Sequence, residues 1–220
     1  SGRARVRAAR ALVEEFARRD EPTYGINTGF GHFAEVTIPH DALAQLQVNL
    51  LRSHAAGVGD ALPVPVVRST MALRANVLAK GFSGVRLETL ELLVELLNRR
   101  VHPVIPSRGS VGASGDLAPL AHLALVLIGE GEVSRGLETQ PGAAALAEAG
   151  LTPATLAAKE GLALINGTQA SAALLGLTVA QAERLARAAD IAAAMSIDAL
   201  RGSTRPFDAR IHEARRFTGQ

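Results

Sequence analysis

Cysteine and tryptophan are absent from this 220-residue chain, and with a single tyrosine the aromatic residues reach only 3%. Without cysteine there can be no disulfide, thiol nucleophile or cysteine-held metal. That composition suits a reducing compartment, so the expected location is cytoplasmic. With so few rings, a core must be built from Ala, Leu and Val, which favours close-packed helices. An excess of one charge is also missing. The 23 Lys and Arg against 21 Asp and Glu leave +2, so the pI of 9.6 reflects a slight arginine surplus and gives nucleic-acid binding little support. No apolar run approaches the ~20 residues of a bilayer span, and the chain is expected to be soluble.

What is present is a globular balance, 48% hydrophobic and 20% charged, in a chain long enough for a substantial core. The first twenty residues are Arg-rich in the manner of a transit peptide. Glu14, Glu15 and Asp20 and the lack of a cleavage-like segment favour a surface helix instead. Ser1-Gly2, without Met, reads as a tag remnant or an internal start.

Val6, Ala9, Leu12, Val13 and Phe16 recur at helical spacing, and Pro22 with the Gly-rich 25–31 stretch ends that helix. Asp41 is a candidate N-cap for a helix carrying Leu43, Leu46, Leu50 and Leu51 and stopping near Gly57. Pro63 and Pro65 open a third helix, closed by Gly81. Residues 86–100 predict a fourth, with Leu87, Leu90, Leu93, Val94 and Leu97 on one face. Periodicity then disappears from Val101 to Asp116, which reads as a structured loop before an apolar helix over 117–128. Residues 129–142 suggest a surface hairpin and 143–150 a brief helix. After Asn166-Gly167 a long Ala/Leu pattern runs to about Leu200, and the last twenty residues read as irregular. A mainly α chain in one domain is the simplest division.

Two Gly-rich stretches, 25–31 and 109–115, invite a phosphate-binding reading. Neither has the spacing of a dinucleotide fingerprint or a P-loop, so no nucleotide is expected. The six His, at 32, 40, 54, 102, 122 and 212, never form the pair four apart that a helical metal site needs. No metal is expected, and most of them read as ordinary polar residues. A serine hydrolase would want Gly-x-Ser-x-Gly, and Ser114 sits one residue short of it, in Gly112-Ala113-Ser114-Gly115.

Ala113-Ser114-Gly115 can support a different chemistry. Glycines at 112 and 115 admit torsions closed to other residues, so the Gly115 amide nitrogen can approach the Ala113 carbonyl carbon. Attack closes a five-membered ring. Loss of that carbonyl oxygen as water and elimination of the Ser114 hydroxyl as a second water leave a methylidene-imidazolone with an electrophilic exocyclic carbon. Ala does not hinder the attack, Ser carries a leaving group, Gly supplies an unhindered nitrogen, and Asp116 could steer the protons. By itself the tripeptide is a common one and reads first as a flexible loop.

Residues 109–122, Gly-Ser-Val-Gly-Ala-Ser-Gly-Asp-Leu-Ala-Pro-Leu-Ala-His, resemble the signature of the aromatic amino acid ammonia-lyases, which include histidine, phenylalanine and tyrosine ammonia-lyases and related aminomutases. Segments 24–31, 53–59 and 159–169 agree with the family in the same order, and Arg205–His212 resembles its histidine-specific branch. The resemblance covers nearly the whole chain. It implies the helical amino-terminal domain of the lyase fold, carrying the self-made methylidene-imidazolone and needing neither metal nor nucleotide. The implied reaction is elimination of ammonia from L-histidine to give trans-urocanate, in a homotetramer with an amino acid substrate and no nucleic-acid or membrane partner. A tyrosine or phenylalanine lyase or an aminomutase remains open. So does a catalytically silent folding or assembly module.

The resemblance also assigns roles. Tyr24 matches the loop tyrosine that removes the β-proton, although a phenol of ordinary pKa near 10 needs its charged form stabilised for that task. On its own, Tyr24 could equally anchor the Gly-rich turn. His54 stands at the selectivity position, where a polar side chain can bond an imidazole or a phenol, and Ser53-His54-Ala55 resembles the histidine branch. A structural hydrogen bond at a helix end is the alternative for His54. Asn166 aligns with the Asn that contacts the prosthetic group or the substrate carboxylate, and is otherwise a turn residue. Leu117 and Gly167 shape the pocket. The family's second Tyr, with its Gln, Arg, Phe and Glu, falls beyond the tail motif. The resemblance therefore makes this chain an amino-terminal portion that lacks the carboxy-terminal helical half.

Overall fold

The computed structural model describes residues 2–112, 115–136, 138–215, 217 and 219. It divides into two compact units, residues 1–175 and 176–220, with the boundary inside a helix.

In the first unit α1 (Gly2–Ala17) turns Val6, Val13 and Ala17 inward, together with Arg10. The Arg10 guanidinium bonds the carbonyls of Ala158 and Gly84 at 2.9 and 3.3 Å, tying α1 to two distant loops. A short 3-10 turn, His40–Ala42, leads into α2 (Leu43–His54). Asp41 lies inside that turn, and the α2 N-cap is Ala42 without a side-chain bond, so the expected Asp41 cap is not formed. Pro65 at the first turn of α3 (Val64–Ala79) has no amide to leave unpaired there. In α4 (Leu87–Asn98) the buried face is Thr89, Leu90, Leu93 and Leu96, while Val94 is exposed. The buried stripe is thus rotated away from the expected Val94 and Leu97 towards Thr89 and Leu96.

Helix α5 (Leu117–Leu127) is apolar on all sides and has nine buried residues, the pattern of a helix enclosed by its neighbours. It packs against α2 and against α7 (Glu160–Ile165), and α2 also touches α7. Leu51, Leu120, Leu123, Leu127 and Leu164, all fully buried, belong to the shared core. Fully burying each such side chain contributes roughly 1.5–3 kcal/mol.

The stretch 101–116, expected to be a loop, contains two short strands. β1 (Val58–Ala61) pairs antiparallel with β3 (Pro106–Arg108), Val58 opposite Arg108 and Ala61 opposite Pro106. β2 (His102–Pro103) joins the predicted hairpin of β4 (Glu132–Arg135) and β5 (Glu138–Pro141) in the order β2-β4-β5. Strands of two to four residues are too short to show an alternation, and proline is tolerated because β2 and β3 are edge strands. α6 (Gly142–Glu148) follows.

Glu160, 0% exposed, opens α7. Its carboxylate accepts from the Arg86 backbone amide, Nε and Nη2 at 2.9, 2.9 and 2.7 Å, from the Thr89 hydroxyl at 2.6 Å and from the Ala157 amide at 2.8 Å. This closes the turn in which Lys159 takes the left-handed conformation, φ 71°. Glu160→Ala leaves the Arg86 charge without its buried partner, and the loss of unfolding free energy in urea titration should be about 3–5 kcal/mol. A loss under about 1 kcal/mol would show that solvent replaces the carboxylate.

Helix α8 (Gln169–Ala199) begins in the first unit and continues into the second. Residues 160–199 include a window long and apolar enough, by length and composition, to cross a membrane. The sequence expectation of no such run therefore needs correction. Alanine-rich segments keep mean hydropathy high without reading as apolar runs, and a third of the window is buried within the protein. The second unit also holds a 3-10 turn, Arg205–Phe207, and α9 (Ala209–Glu213), capped by the Asp208 side chain accepting from the Arg210 amide. The expected irregular tail thus contains a capped helix, too short for a periodic signal.

Candidate active site

Within the first unit, the motifs at 53–59, 109–116 and 159–169 meet at one end of the α2, α5 and α7 cluster. α2 ends at His54, and its continuation through Gly57 into β1 is strapped to the base of the 109–116 loop by the β1–β3 ladder. The approach is close: a Cβ added to Gly109 would lie 3.1 Å from the Gly57 Cα and 3.0 Å from the Ala118 Cβ. The Gly57 amide donates to His122 Nε2 at 3.1 Å. His122, read from the sequence as an ordinary polar residue, is a strut between the two motifs. Its place at the end of the 109–122 motif was the available signal.

Burial holds the His122 ring below its ordinary pKa, as an Nε2 acceptor requires. The same holds for His102, through burial and then the charges of Arg68 and Arg100. With folded values below the unfolded ~6.5, the unfolded chain takes up these protons first as pH falls. The contribution is full above about pH 6.5 and declines below it. The urea midpoint should drop from pH 7 towards 5, and drop less in His122→Gln, whose amide oxygen can still accept from Gly57. Equal drops would remove His122 from this account.

Ala113 and Ser114 lie outside the described residues. Their flanks are described. Gly112 is left-handed at φ 66°, with open space where a Cβ would stand, so the chain can reverse sharply there. A Cβ at Gly115 would meet the Gly167 nitrogen at 3.4 Å and Asn166 Oδ1 at 3.5 Å. Asp116, 1% exposed, fastens this end. Its amide donates to the Gly167 carbonyl at 2.6 Å. Its Oδ1 accepts from the Ser110 and Ser171 hydroxyls at 2.7 and 2.6 Å, and its Oδ2 from the Ser171 amide at 2.8 Å. Burial alone would raise the Asp116 pKa, but the bonds from Ser171, Ser110 and the Ala170 backbone outweigh it and hold the carboxyl below its ordinary value. A carboxylate so held is a weak base. Its geometry is that of a clamp between the loop and α8.

Asn166 caps the C-terminal end of α7, within reach of Gly115. His54 is placed with Nδ1 2.9 Å from the Leu50 carbonyl and 3.0 Å from the Ser53 hydroxyl. With the proton on Nδ1, Nε2 is an acceptor. The ring lines a cavity of about 400 Å³ whose other walls include Phe30, Phe33, Ile38, Leu46 and Leu50. The structural hydrogen bond expected as an alternative is therefore present, on one nitrogen only.

Tyr24 is 57% exposed and meets Phe30 edge to face, ring centroids 6.3 Å apart. Beside it, Gly25 lies against Leu162 of α7, where an added Cβ would come within 2.6 Å of Cδ2. The turn is anchored by other residues. Asn27 accepts from the Thr23 amide and donates to the carbonyls of Arg19 and Glu21, and Thr28 accepts from the Gly25 amide. Among the described residues, the side-chain hydrogen bonds of this turn come from Asn27 and Thr28 rather than from the Tyr24 hydroxyl.

The aromatic amino acid lyase family model matches residues 1–220. The chain belongs to this family. It is 61% identical over 215 residues to histidine ammonia-lyase of Gloeobacter violaceus and 58% identical over 216 to that of Myxococcus xanthus. In each case the match covers 98% of this chain and 42% of the relative, so the chain spans about two fifths of their length. Among solved structures, histidine ammonia-lyase of Trypanosoma cruzi superposes with a TM-score of 0.90 at 44% identity, covering 99% of this chain and 42% of that one. Tyrosine aminomutase of Streptomyces globisporus gives 0.91 at 42%, covering 98% and 40%. The helical fold implied by the resemblance is the fold of these relatives.

Proposed function

We propose that this chain is the electrophile-forming part of a histidine ammonia-lyase, a carbon–nitrogen lyase that releases ammonia from L-histidine to give trans-urocanate. The carrying observation is the clamp of the 109–116 loop, through Asp116, onto the Asn166–Gly167 turn. The Ala113-Ser114-Gly115 segment runs from an open left-handed glycine to a fixed aspartate, a frame that fits backbone cyclisation. The methylidene-imidazolone so formed would supply the electrophile that makes the amino group a leaving group. Around it, Tyr24 removes the β-proton, Asn166 holds the ring or the substrate carboxylate, and His54 Nε2 accepts from the substrate imidazole N–H. Asp116 fixes the loop. Subunits assemble as a homotetramer in which other segments complete the site.

Histidine as substrate is supported by the 61% and 58% identities to histidine ammonia-lyases and by the single polar ring on an otherwise largely apolar cavity. The likeness to tyrosine aminomutase favours a second reading, in which the amino group returns to the neighbouring carbon and a β-amino acid is the product. The test is the full-length protein that carries this chain, incubated with L-histidine. We expect an intact mass two waters below the sequence mass and formation of urocanate, reduced on the order of 10²-fold in His54→Leu, which lacks the acceptor. An uncyclised mass, or turnover unchanged by His54→Leu, would overturn the electrophile or the imidazole contact respectively.

A further inference from the structure

Arg74, on α3, is 1% exposed, and among the described residues no carboxylate pairs with it. Its Nη1 donates to the Asn166 carbonyl at 3.0 Å and to Gln169 Oε1 at 2.7 Å, and its Nη2 donates to the Ala163 carbonyl. Nε has no partner. Burial lowers the pKa of the group to about 10. Enclosing a cation among neutral acceptors is expensive, and an apolar residue of similar volume would fill the same space at less cost. The arginine is therefore explained by what its fork holds.

That is the end of α7 and the turn that follows. Carbonyls at a helix C-terminus lack amide partners and carry the negative end of the helix dipole, so a guanidinium suits them. The turn is pressed onto the cation: a Cβ added to Gly167 would come within 2.4 Å of Arg74 Nη1. The opposite side of the same turn faces the electrophile-forming loop, since the Gly167 carbonyl accepts from the Asp116 amide and Asn166 Oδ1 stands beside Gly115. One residue's thickness of backbone separates the buried cation from the loop.

We propose that Arg74 is a positioning residue which, through the Asn166–Gly167 turn, sets Asn166 and the base of the 113–115 segment in register for cyclisation and turnover. This rests on the function proposed above. Its reach is from α3 to a site that α3 does not itself line.

The experiment compares Arg74→Lys, which keeps the charge without the fork, and Arg74→Met with wild type in the full-length protein. Folding is checked by circular dichroism and thermal midpoint. In folded Arg74→Lys we expect the Asp116 amide to exchange with deuterium at least tenfold faster, the cyclised fraction by intact mass to fall, and kcat for ammonia release to drop at least tenfold with KM within about threefold. Arg74→Met should be worse on each measure. Exchange, mass and kcat all within twofold of wild type in folded Arg74→Lys would overturn the proposal. If neither Arg74 variant folds, Gln169→Leu decides, because it removes one acceptor and leaves the cation: a fivefold loss of kcat supports the role and a change under twofold overturns it. A wild type that neither cyclises nor forms urocanate defeats the proposed function. Amide exchange then still decides, in Arg74→Lys or, if that does not fold, in Gln169→Leu, whether Arg74 holds the turn.

Discussion

Ser114→Ala in the full-length protein should reduce urocanate formation by at least about 10³-fold, equivalent to about 4 kcal/mol of activation free energy. The reason is chemical. Without a β-hydroxyl at residue 114 there is no second water to eliminate, so no exocyclic methylidene can form even if the Gly115 nitrogen closes the ring. Intact mass gives the matching readout: wild type two waters light, Ser114→Ala at full mass or at most one water light. Loss of activity with a two-water mass defect would place the electrophile elsewhere. The fold should survive, because the anchors of the loop are at Ser110, Asp116 and Ser171.

Tyr24→Phe should lower kcat by about 10²–10⁴-fold, the range for removing a positioned general base, while leaving the thermal midpoint nearly unchanged. The second half of this expectation comes from the turn itself. Asn27 and Thr28 make its hydrogen bonds, and phenylalanine keeps the edge-to-face contact with Phe30. A structural hydroxyl would show the reverse, a lower midpoint with kcat near wild type. Cyclised mass should be the same in Tyr24→Phe and wild type, which separates loss of the base from loss of the electrophile.

Much of the helical order was legible along the chain. The approximate bounds of α1 and α3 follow from apolar periodicity closed by Pro or Gly, and those of α5 from an unbroken apolar run that stops before Gly129. The short elements α7, α9 and β1 to β3 were not legible, because they carry at most two periods of any pattern and, unlike β4 and β5, have no tight Gly-rich turn to mark them. The exposed Leu185, Ile191 and Met195 of α8 were also beyond reach, since an Ala/Leu pattern is the same whether or not a neighbour covers it. Of the site, the cyclisable tripeptide, the lone tyrosine, His54 and Asn166 stood out through the family motifs that contain them, since each residue type alone also has an ordinary structural reading. Their supports did not. Arg74, His122 and Ser171 are common side chains whose meaning lies in partners tens of residues away, and that of Ser110 in a carboxylate across the loop.

The sequence by itself determined which atoms are available for chemistry, because the carbonyl, hydroxyl and amide needed for the electrophile are consecutive in the chain. The tertiary structure decided what anchors the residues on either side of them. The Asp116 carboxylate became a clamp because Ser110 and Ser171, 61 residues apart in sequence, both reach it. The Asn166–Gly167 turn acquired a fixed position because a cation on α3 is buried beneath it. Burial and hydrogen bonding are properties of the assembled packing, and no spacing along a chain encodes them locally.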